Sequence, residues 1–347
     1  MHLTYKEIFG QYEALRRTYD YVLENRQQIK GLMEQHKPQS LTFVGSGSGY
    51  SLCRSGEVST KLRLNMAANA LAAGDLLVNF NHYVGLLEDT LIIAPSRSGG
   101  TSEVVMAVEK AKALGVPTLA ISAKENSPLR NLAELSLEIP WAFDESVCQT
   151  RTVTNFYAVN LLLIAFIAED ATLLEEIDHA ITAGERFMAE YGHLAEEVAN
   201  FEWDKVVVLA DSELEGIASE AALAFAEISQ APGNYYHVLD VRHGPMVLID
   251  EKTLVVMAFS PEETELQRSL VQDLKGKNAK VVTISMGNQR NLGSDWEVHT
   301  PEYSNFGVLG IPFVFIPQAI AYYKALNRGL DPDAPGGLEP WIDLGNN

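Results

Sequence analysis

The sequence predicts an α/β protein made of two tandem domains, each a parallel sheet with helices on both faces. Short apolar segments alternate with helical patterns along most of the 347 residues, at the spacing of strand–helix–strand units. The pattern also repeats, because the offset from Thr90 to Thr253, where similar strands begin, equals the offset from Ser122 to Ser285, where similar strands end. Equal offsets and a matching order of elements indicate a duplicated domain.

Residues 1–34 are predicted to be helical and to pack on the main body or on a partner subunit, because apolar side chains recur near a helical period. The first domain then covers residues 35–173, and residues 67–79 fit either a helix or a short strand. Its predicted strands are Leu41–Val44, Thr90–Ala94, Pro117–Ser122 and Leu135–Ile139. Its predicted helices include residues 51–64, 104–114 and 156–168.

A Glu-rich helical connector is predicted at residues 174–195, and the second domain at residues 196–337. The strands predicted in the second domain are Lys205–Leu209, Thr253–Ala258 and Lys280–Ser285. Proline and glycine make the sequence after Gly329 irregular, so residues 338–347 are predicted to form a C-terminal tail.

Composition and charge exclude several classes of protein. A net charge of −20 repels nucleic acid and anionic lipid, so neither is expected as a partner. The longest apolar run, Phe156–Ala168, falls short of the ~20 residues of a membrane span and indicates a core helix instead. Cys53 and Cys148 form no disulfide framework, which favours a reducing cytoplasm. The histidines form no HxH or HExxH pair, so neither a metal nor another cofactor is expected.

The segment between the strand ending at Ala94 and the helix after it is the best candidate for a ligand site. Ser96, Ser98 and Thr101 supply hydroxyl groups and Arg97 supplies a cation, next to the positive end of a helix dipole. Backbone amides of such a turn also point at one spot, and the combination suits a phosphate monoester. An ordinary strand-to-helix turn explains the same residues equally well, since helix N-termini favour serine and threonine.

Several sequence segments together resemble the SIS (sugar isomerase) family of phosphosugar-binding domains. These segments are the Ser-x-Ser-Gly-x-Thr turn at 96–101, the Gly-rich turn at 45–49, residues 147–151, and the stretch from Glu227 to His243-Gly244-Pro245. The resemblance covers about residues 35–340 and is closest to the double-SIS isomerase half of glucosamine-6-phosphate synthase. It implies two flavodoxin-like SIS domains and a phosphorylated sugar or amino sugar as the ligand.

The resemblance also implies roles for individual residues. Glu227 matches the carboxylate that transfers a proton, and His243 matches a ring-opening histidine that relatives take from the neighbouring subunit of a homodimer. Residues that match substrate-binding positions are Ser48, Ser96, Arg97, Ser98 and Thr101 for the phosphate, and Val147 and Gln149 for the sugar. By itself, Glu227 in an Ala-rich helical segment would be interpreted as an exposed residue, and His243 as part of a turn.

Two departures from the family pattern decide between reactions. Pro340 stands where the synthase has a lysine that forms an imine with the open sugar, and Ala224 replaces a second lysine. No glutaminase domain lies within the chain. Synthesis of an amino sugar is therefore disfavoured, and a deaminase or deglycase of a 6-phosphorylated amino sugar or fructosamine is expected. The alternatives are a simple aldose–ketose isomerase and a phosphosugar-binding regulator without catalysis.

Overall fold

The computed structural model describes residues 1–340, 342, 344 and 345. Within them the chain forms two five-stranded sheets, and each sheet uses a separate half of the sequence. The first sheet contains β1 Ser40–Gly45, β2 Ala67–Ala72, β3 Thr90–Ser96, β4 Thr118–Ser122 and β5 Leu135–Glu138. The second contains β6 Lys205–Leu209, β7 Gly233–Tyr236, β8 Thr253–Phe259, β9 Lys280–Met286 and β10 Trp296–Thr300.

Both sheets are parallel and have the same topology. Their spatial orders are β2-β1-β3-β4-β5 and β10-β9-β8-β6-β7, which coincide when the second is read from its other edge. This result confirms the predicted duplicated α/β architecture. The segment 67–79, which the sequence left open, is β2 followed by a short helix.

Helices surround the two sheets and also fill the space between them. In chain order they are α1 Leu3–Phe9, α2 Gln11–Glu24, α3 Arg26–His36, α4 Ser48–Leu64, α5 Ala73–Val78, α6 Phe80–Tyr83, α7 Ser102–Ala113, α8 Pro128–Leu132, α9 Arg151–Ala168, α10 Ala171–Ala199, α11 Glu215–Ile228, α12 Thr264–Gly276 and α13 Gly310–Asn327. The main core joins both halves of the chain, and two smaller clusters lie on the outer faces of the sheets.

Two helical segments are long and apolar enough to cross a membrane, Arg151–Ala168 and Phe306–Asn327. Their apolar windows are 83% and 89% buried inside the protein, where α9 and α13 pack against neighbouring helices. Burial in the core therefore accounts for their composition, as predicted for residues 156–168.

The predicted connector is part of one long helix, α10, which extends beyond residues 174–195 at both ends. The helix begins at Asp170, whose carboxylate accepts a hydrogen bond from Leu173 N at 2.9 Å. The N-terminal helices pack on the main body, with α2 against α9 and α10, and α1 against α13. The division of the chain at residues 34, 173, 195 and 337 remains a prediction.

The two halves meet where α4 of the first contacts α11 of the second. A methyl group on Gly216 would lie 2.1 Å from Ser51 O, so only glycine permits this approach. At the other end of α4, the guanidinium of Arg63 binds the buried carboxylate of Glu213 through Nε at 2.6 Å and Nη2 at 2.7 Å. This contact brings the helix that carries Glu227 to the carboxyl ends of the first sheet.

Candidate active site

A cavity of about 210 Å³ opens at the carboxyl ends of β1 and β3. β1 and β3 are neighbours in the sheet, and the strands that follow them in sequence lie towards opposite edges. Parallel α/β sheets bind ligands at the point where the strand order reverses in this way. The cavity contacts all but one of the predicted site residues, namely Ser48, Ser96, Arg97, Ser98, Thr101, Val147, Gln149 and Glu227. The exception is His243.

The turn after β3 presents hydroxyl groups to this cavity. Ser96 Oγ accepts a hydrogen bond from Gly99 N, and Ser98 Oγ accepts one from Gly100 N, each at 3.1 Å. Both hydroxyl oxygens are thereby oriented by the backbone. Ser96 Oγ also lies 3.2 Å from Thr101 Oγ1, so one hydrogen of that pair is shared between them, and the other, together with that of Ser98, can serve an anion. The sequence predicted that backbone amides would make much of this contact, but these two amides are already bonded within the turn.

Gly99 is required by the shape of the turn. Its φ is +58°, and a methyl group at this position would lie 2.3 Å from Ser127 Oγ. The same residue anchors the turn to the next loop, because Leu129 N donates to Gly99 O at 2.9 Å. The hydroxyl-rich turn is therefore held in one conformation before a ligand arrives.

Arg97 is almost fully buried and joins two segments at the cavity wall. Nη1 donates to Ser146 O at 2.9 Å and to Asp144 O at 3.5 Å, and Nη2 donates to Pro340 O at 2.5 Å. Burial lowers the pKa of this guanidinium, and the charge of Asp144 is the largest effect that opposes the shift. Arg97 thus ties the loop at 144–150 to the tail and also contributes positive charge to the cavity.

The loop that carries Val147 and Gln149 is fixed at both of its ends. Asp144 caps α9, and its carboxylate accepts hydrogen bonds from the amides of Thr150 at 2.9 Å, Arg151 at 3.1 Å and Thr152 at 2.9 Å. Glu7 of α1 binds the other part of the loop, at Glu145 and Ser146. Neither carboxylate was predicted from the sequence. The helix after Asp144 was expected only from residue 156, whereas it begins at Arg151, and Glu7 lies in a helical segment where a glutamate is ordinarily exposed.

Glu227 lies near the C-terminal end of α11 and faces the cavity. Burial raises the pKa of its carboxyl to about 7, while the charge of Arg97 and the thiol of Cys148 act in the opposite direction. A carboxyl with this pKa can both take up and release a proton near neutral pH. The interpretation of Glu227 as an exposed surface residue is therefore wrong.

Two further groups lie against Glu227. Burial, reinforced by the Glu227 carboxylate, raises the pKa of the Cys148 thiol, so Cys148 stays protonated and is a packed thiol. Glu220, two turns earlier on α11, is only 1% exposed, and its oxygens have no hydrogen bond of ordinary geometry among the described residues. Burial and the neighbouring Glu227 raise its pKa well above the usual value, and the Ser48 hydroxyl only partly opposes them.

His243 does not line the cavity of its own chain. It follows a short helical turn at Asp240–Arg242 and its side chain is exposed. Large apolar side chains are exposed close to it in sequence, with Val247 80% and Leu248 61% accessible. The structure of one chain therefore leaves the predicted acid–base pair, Glu227 and His243, apart.

The tail partly closes the cavity. Leu338, Glu339, Pro340 and Ile342 line it, and Ile342 O accepts a hydrogen bond from Ser102 N at 3.4 Å. Of the predicted tail, residues 341, 343, 346 and 347 lie outside the described residues. Pro340 contributes its carbonyl oxygen to Arg97.

The second sheet has a different kind of crevice at the corresponding position. A cavity of about 360 Å³ lies beyond β6 and β8, and its lining includes Asp211, Glu262 and Glu263. Such an acidic lining does not suit a phosphate group.

Apart from these cavities, His2, Asp331 and Asp333 have possible metal ligand atoms within 4.8 Å of one another, but the Asp333 carboxylate already accepts hydrogen bonds from the first amides of α1.

Comparison with known proteins gives consistent matches over the whole chain. A family model described as "SIS domain" matches residues 35–166 and 201–326. D-galactosamine-6-phosphate deaminase of Shewanella is 27% identical over 96% of this chain and 87% of its own length. The isomerizing glutamine–fructose-6-phosphate aminotransferase of Sulfolobus acidocaldarius is 25% identical over 99% of this chain, but this chain spans only 57% of that relative. A crystal structure of glucosamine-6-phosphate deaminase from Thermotoga maritima superposes with a TM-score of 0.84 at 27% identity, covering 99% of this chain and 100% of that one.

Proposed function

The chain belongs to the SIS domain family and is an enzyme of that family, and we propose that it removes an amine from a 6-phosphorylated amino sugar or fructosamine. The observation that carries this proposal is Glu227, a carboxyl with a pKa of about 7 beside a turn of oriented hydroxyl groups. The names of two relatives, both amino-sugar-phosphate deaminases, support the choice of substrate class.

The proposed reaction begins with placement of the substrate. The hydroxyls of Ser48, Ser96, Ser98 and Thr101 hold the phosphate, and Val147 and Gln149 line the sugar. With the phosphate fixed, the first two carbons of the open chain lie next to Glu227. Arg97 adds positive charge on the same side of the cavity.

The chemical step then needs one base that also acts as an acid. For a 2-amino aldose phosphate, Glu227 takes the proton from C2 and returns it to C1, while O1 gains a proton and the nitrogen loses one. The aldehyde and amine thereby become a C1 hydroxymethyl group and a C2 imine. Water adds to C2 and ammonia leaves, giving a ketose phosphate. For a fructosamine phosphate the proton moves from C1 to C2, and hydrolysis of the C1 imine releases the amine and an aldose phosphate.

His243 of a second copy is proposed to complete this site by opening the sugar ring. Two observations support a homodimer with a shared site: His243 is exposed away from the cavity of its own chain, and Val247 and Leu248 beside it are unburied apolar side chains. An isologous dimer would form two equivalent complete sites.

A simple aldose–ketose isomerase is the second candidate. Glu227 would perform the same proton transfer on a substrate without nitrogen, and nothing in its position distinguishes the two reactions. A phosphosugar-binding regulator is the third candidate, motivated by Pro340 and Ala224 in place of lysines. Whichever of these three functions applies, we propose that the protein acts in the cytoplasm, because its two cysteines are free and buried.

The decisive experiment compares wild type with Glu227→Gln on the 6-phosphates of 2-amino aldoses, fructosamines and unmodified aldoses and ketoses, measuring amine release and sugar interconversion. We expect amine release by wild type and a loss of about 10²–10⁴-fold in the variant, because the glutamine cannot transfer a proton. Binding of the substrate should change little, because the phosphate contacts remain. Glu109→Gln, an exposed residue of α7, serves as the control and should leave turnover unchanged.

Three results would contradict parts of this proposal. Full turnover by Glu227→Gln on a confirmed substrate removes Glu227 from the mechanism. Interconversion without amine release by wild type supports the isomerase, and tight binding without any turnover supports the regulator.

A further inference from the structure

The first helix of the chain reaches the loop that lines the sugar side of the cavity. Glu7 of α1 is 3% exposed, and its Oε1 accepts hydrogen bonds from Glu145 N at 2.6 Å and Ser146 N at 3.1 Å. Its Oε2 accepts one from the Ser146 hydroxyl. All three donors belong to the segment immediately before Val147, although Glu7 is about 140 positions away in sequence.

A second contact fastens the same loop to the other end of α1. Val147 N donates to Asp333 O at 3.0 Å. The carboxylate of Asp333 in turn accepts hydrogen bonds from Leu3 N and Thr4 N, both at 2.9 Å, and so caps the start of α1. The loop, the segment at Asp333 and α1 therefore form a closed set of hydrogen bonds.

These contacts also determine where Arg97 lies. Ser146 is held by Glu7 on its amide and hydroxyl, and its carbonyl oxygen accepts the 2.9 Å hydrogen bond from Arg97 Nη1. A shift of Ser146 would move the guanidinium and would also move Val147 and Gln149, which line the cavity. Hydrogen bonds weaken steeply when donor and acceptor leave their ordinary geometry, so such a shift would weaken substrate binding.

We propose that Glu7 is a positioning residue for substrate binding, which acts through Ser146 on Arg97, Val147 and Gln149. Glu7 itself does not line the cavity. A buried carboxyl is unfavourable unless it is hydrogen bonded, and among the residues that the structure describes every hydrogen bond of this one goes to the loop. The proposal depends on the proposed function only in taking this cavity as the substrate site.

The test compares Glu7→Ala and Glu7→Gln with wild type and with Glu13→Ala, an exposed glutamate of α2 as the control. Glu7→Ala should raise KM for the phosphorylated substrate about tenfold while kcat stays within about threefold, because the loop contributes to binding and not to proton transfer. Amide hydrogen exchange at residues 145–147 should become faster in this variant.

Glu7→Gln should restore binding to within about twofold of wild type. The amide oxygen can still accept from Glu145 N and Ser146 N, and the amide nitrogen can donate to Ser146 Oγ. The serine hydroxyl then donates to Cys148 O, which already lies 3.1 Å from it. Rescue by this isostere would show that hydrogen bonding, and not the negative charge, positions the loop.

Each readout can overturn the proposal. Two results would make Glu7 a residue of general stability only. One is unchanged exchange at 145–147 in Glu7→Ala, and the other is a fall in kcat as large as the rise in KM, together with a lower unfolding temperature. If wild type neither binds nor converts any sugar phosphate, the proposed function fails, and the exchange measurement still decides whether Glu7 holds the loop.

Discussion

At the scale of single residues, Glu227 shows a conflict between function and stability. Proton transfer near neutral pH requires a carboxyl whose pKa is raised, and burial is the cause of that shift. The folded chain therefore holds a proton that the unfolded chain releases above its ordinary pKa of 4.5. The side chain that serves the reaction should lower the stability of the fold at working pH.

Glu227→Gln should therefore raise the free energy of unfolding, and by more as the pH rises. The contribution of protonated Glu227 is complete below pH 4.5, declines as the pH rises towards 7, and is fully lost above 7. Between pH 5.5 and 8.5 the advantage of the glutamine variant should grow by about 2 kcal/mol. Denaturant unfolding at these two pH values, both above the pI of about 4.8, measures the difference.

Glu109→Gln on the exposed face of α7 is again the control, and its stability relative to wild type should not change with pH over this range. A constant difference between Glu227→Gln and wild type would mean that the carboxyl is ionised throughout, and the acid–base role would lose its physical basis.

Residue patterns in the sequence predicted the side chains that line the cavity better than they predicted the residues that hold those side chains in place. Ser96, Ser98 and Thr101 were recognisable as a candidate site because their hydroxyl groups coincide with Arg97 and with the start of a predicted helix, and the resemblance to the SIS family then favoured phosphate binding. Glu7 and Glu220 were not, because each lies in a helical segment where a glutamate is ordinarily exposed. Their importance depends on contacts with distant parts of the chain, and one sequence carries no signal for such contacts.

At the scale of elements, the close approach of α4 and α11 sets the position of Glu227. Gly216 lies at the contact, where a methyl group would meet Ser51 O at 2.1 Å and Ser55 N at 2.6 Å. Both are backbone atoms of α4, which cannot give way as a flexible side chain could. Ser55 also bonds α11 directly, since Ile217 N donates to Ser55 Oγ at 3.1 Å.

Gly216→Ala should push α11 away from α4 and move Glu227 relative to the phosphate turn. We expect kcat to fall by about tenfold or more, since the base is displaced, and the free energy of unfolding to fall by about 1–3 kcal/mol from overpacking. Steady-state kinetics and denaturant unfolding measure the two effects.

Gly31→Ala in α3 provides a matched control, because that helical glycine has no atom within 4 Å of the added methyl group. It should raise stability by about 0.5–1 kcal/mol, the usual gain of alanine over glycine in a helix. If both variants behave alike, the α4–α11 contact does not set the position of Glu227.

The elements that the sequence predicted best were the central strands, since β1, β3, β4, β6, β8 and β9 are largely apolar segments of the type found in parallel sheets. The edge strands β7 and β10 were missed, because Gly233–Tyr236 and Trp296–Thr300 are mixed in polarity. Helix α13 was also missed: it is apolar on all sides and so has no helical period to detect.

At the scale of the whole molecule, the two halves of the chain have crevices that differ in their charged groups. The first has oriented hydroxyls and Arg97 beside Glu227 and Glu339, and the second has acidic side chains after β6 and β8. In a chain of net charge −20, Arg97 and the hydroxyl groups of the first crevice supply the local donors that an anionic substrate requires. The second half contributes instead through α11, which reaches across to supply Glu227.

A single copy of the chain is expected to be inactive. His243 comes from the second half but is exposed outside the cavity of its own chain, so a second copy must bring it there if it acts on the substrate. Exposed Val247 and Leu248 next to it would then be covered. Sedimentation showing only monomer at working concentration would exclude a shared site.

Mixing inactive variants tests the shared site directly. Homodimers of Glu227→Gln and of His243→Asn should each have little activity, because every site lacks one member of the pair. In a heterodimer, one site loses both groups and the other combines the intact Glu227 of one copy with the intact His243 of the other. Unfolding and refolding an equal mixture should therefore recover about a quarter of wild-type activity, since half of the dimers are mixed and half of their sites are complete. If each site used both groups of one chain, no mixture would recover activity, and the exposed position of His243 would have no catalytic meaning.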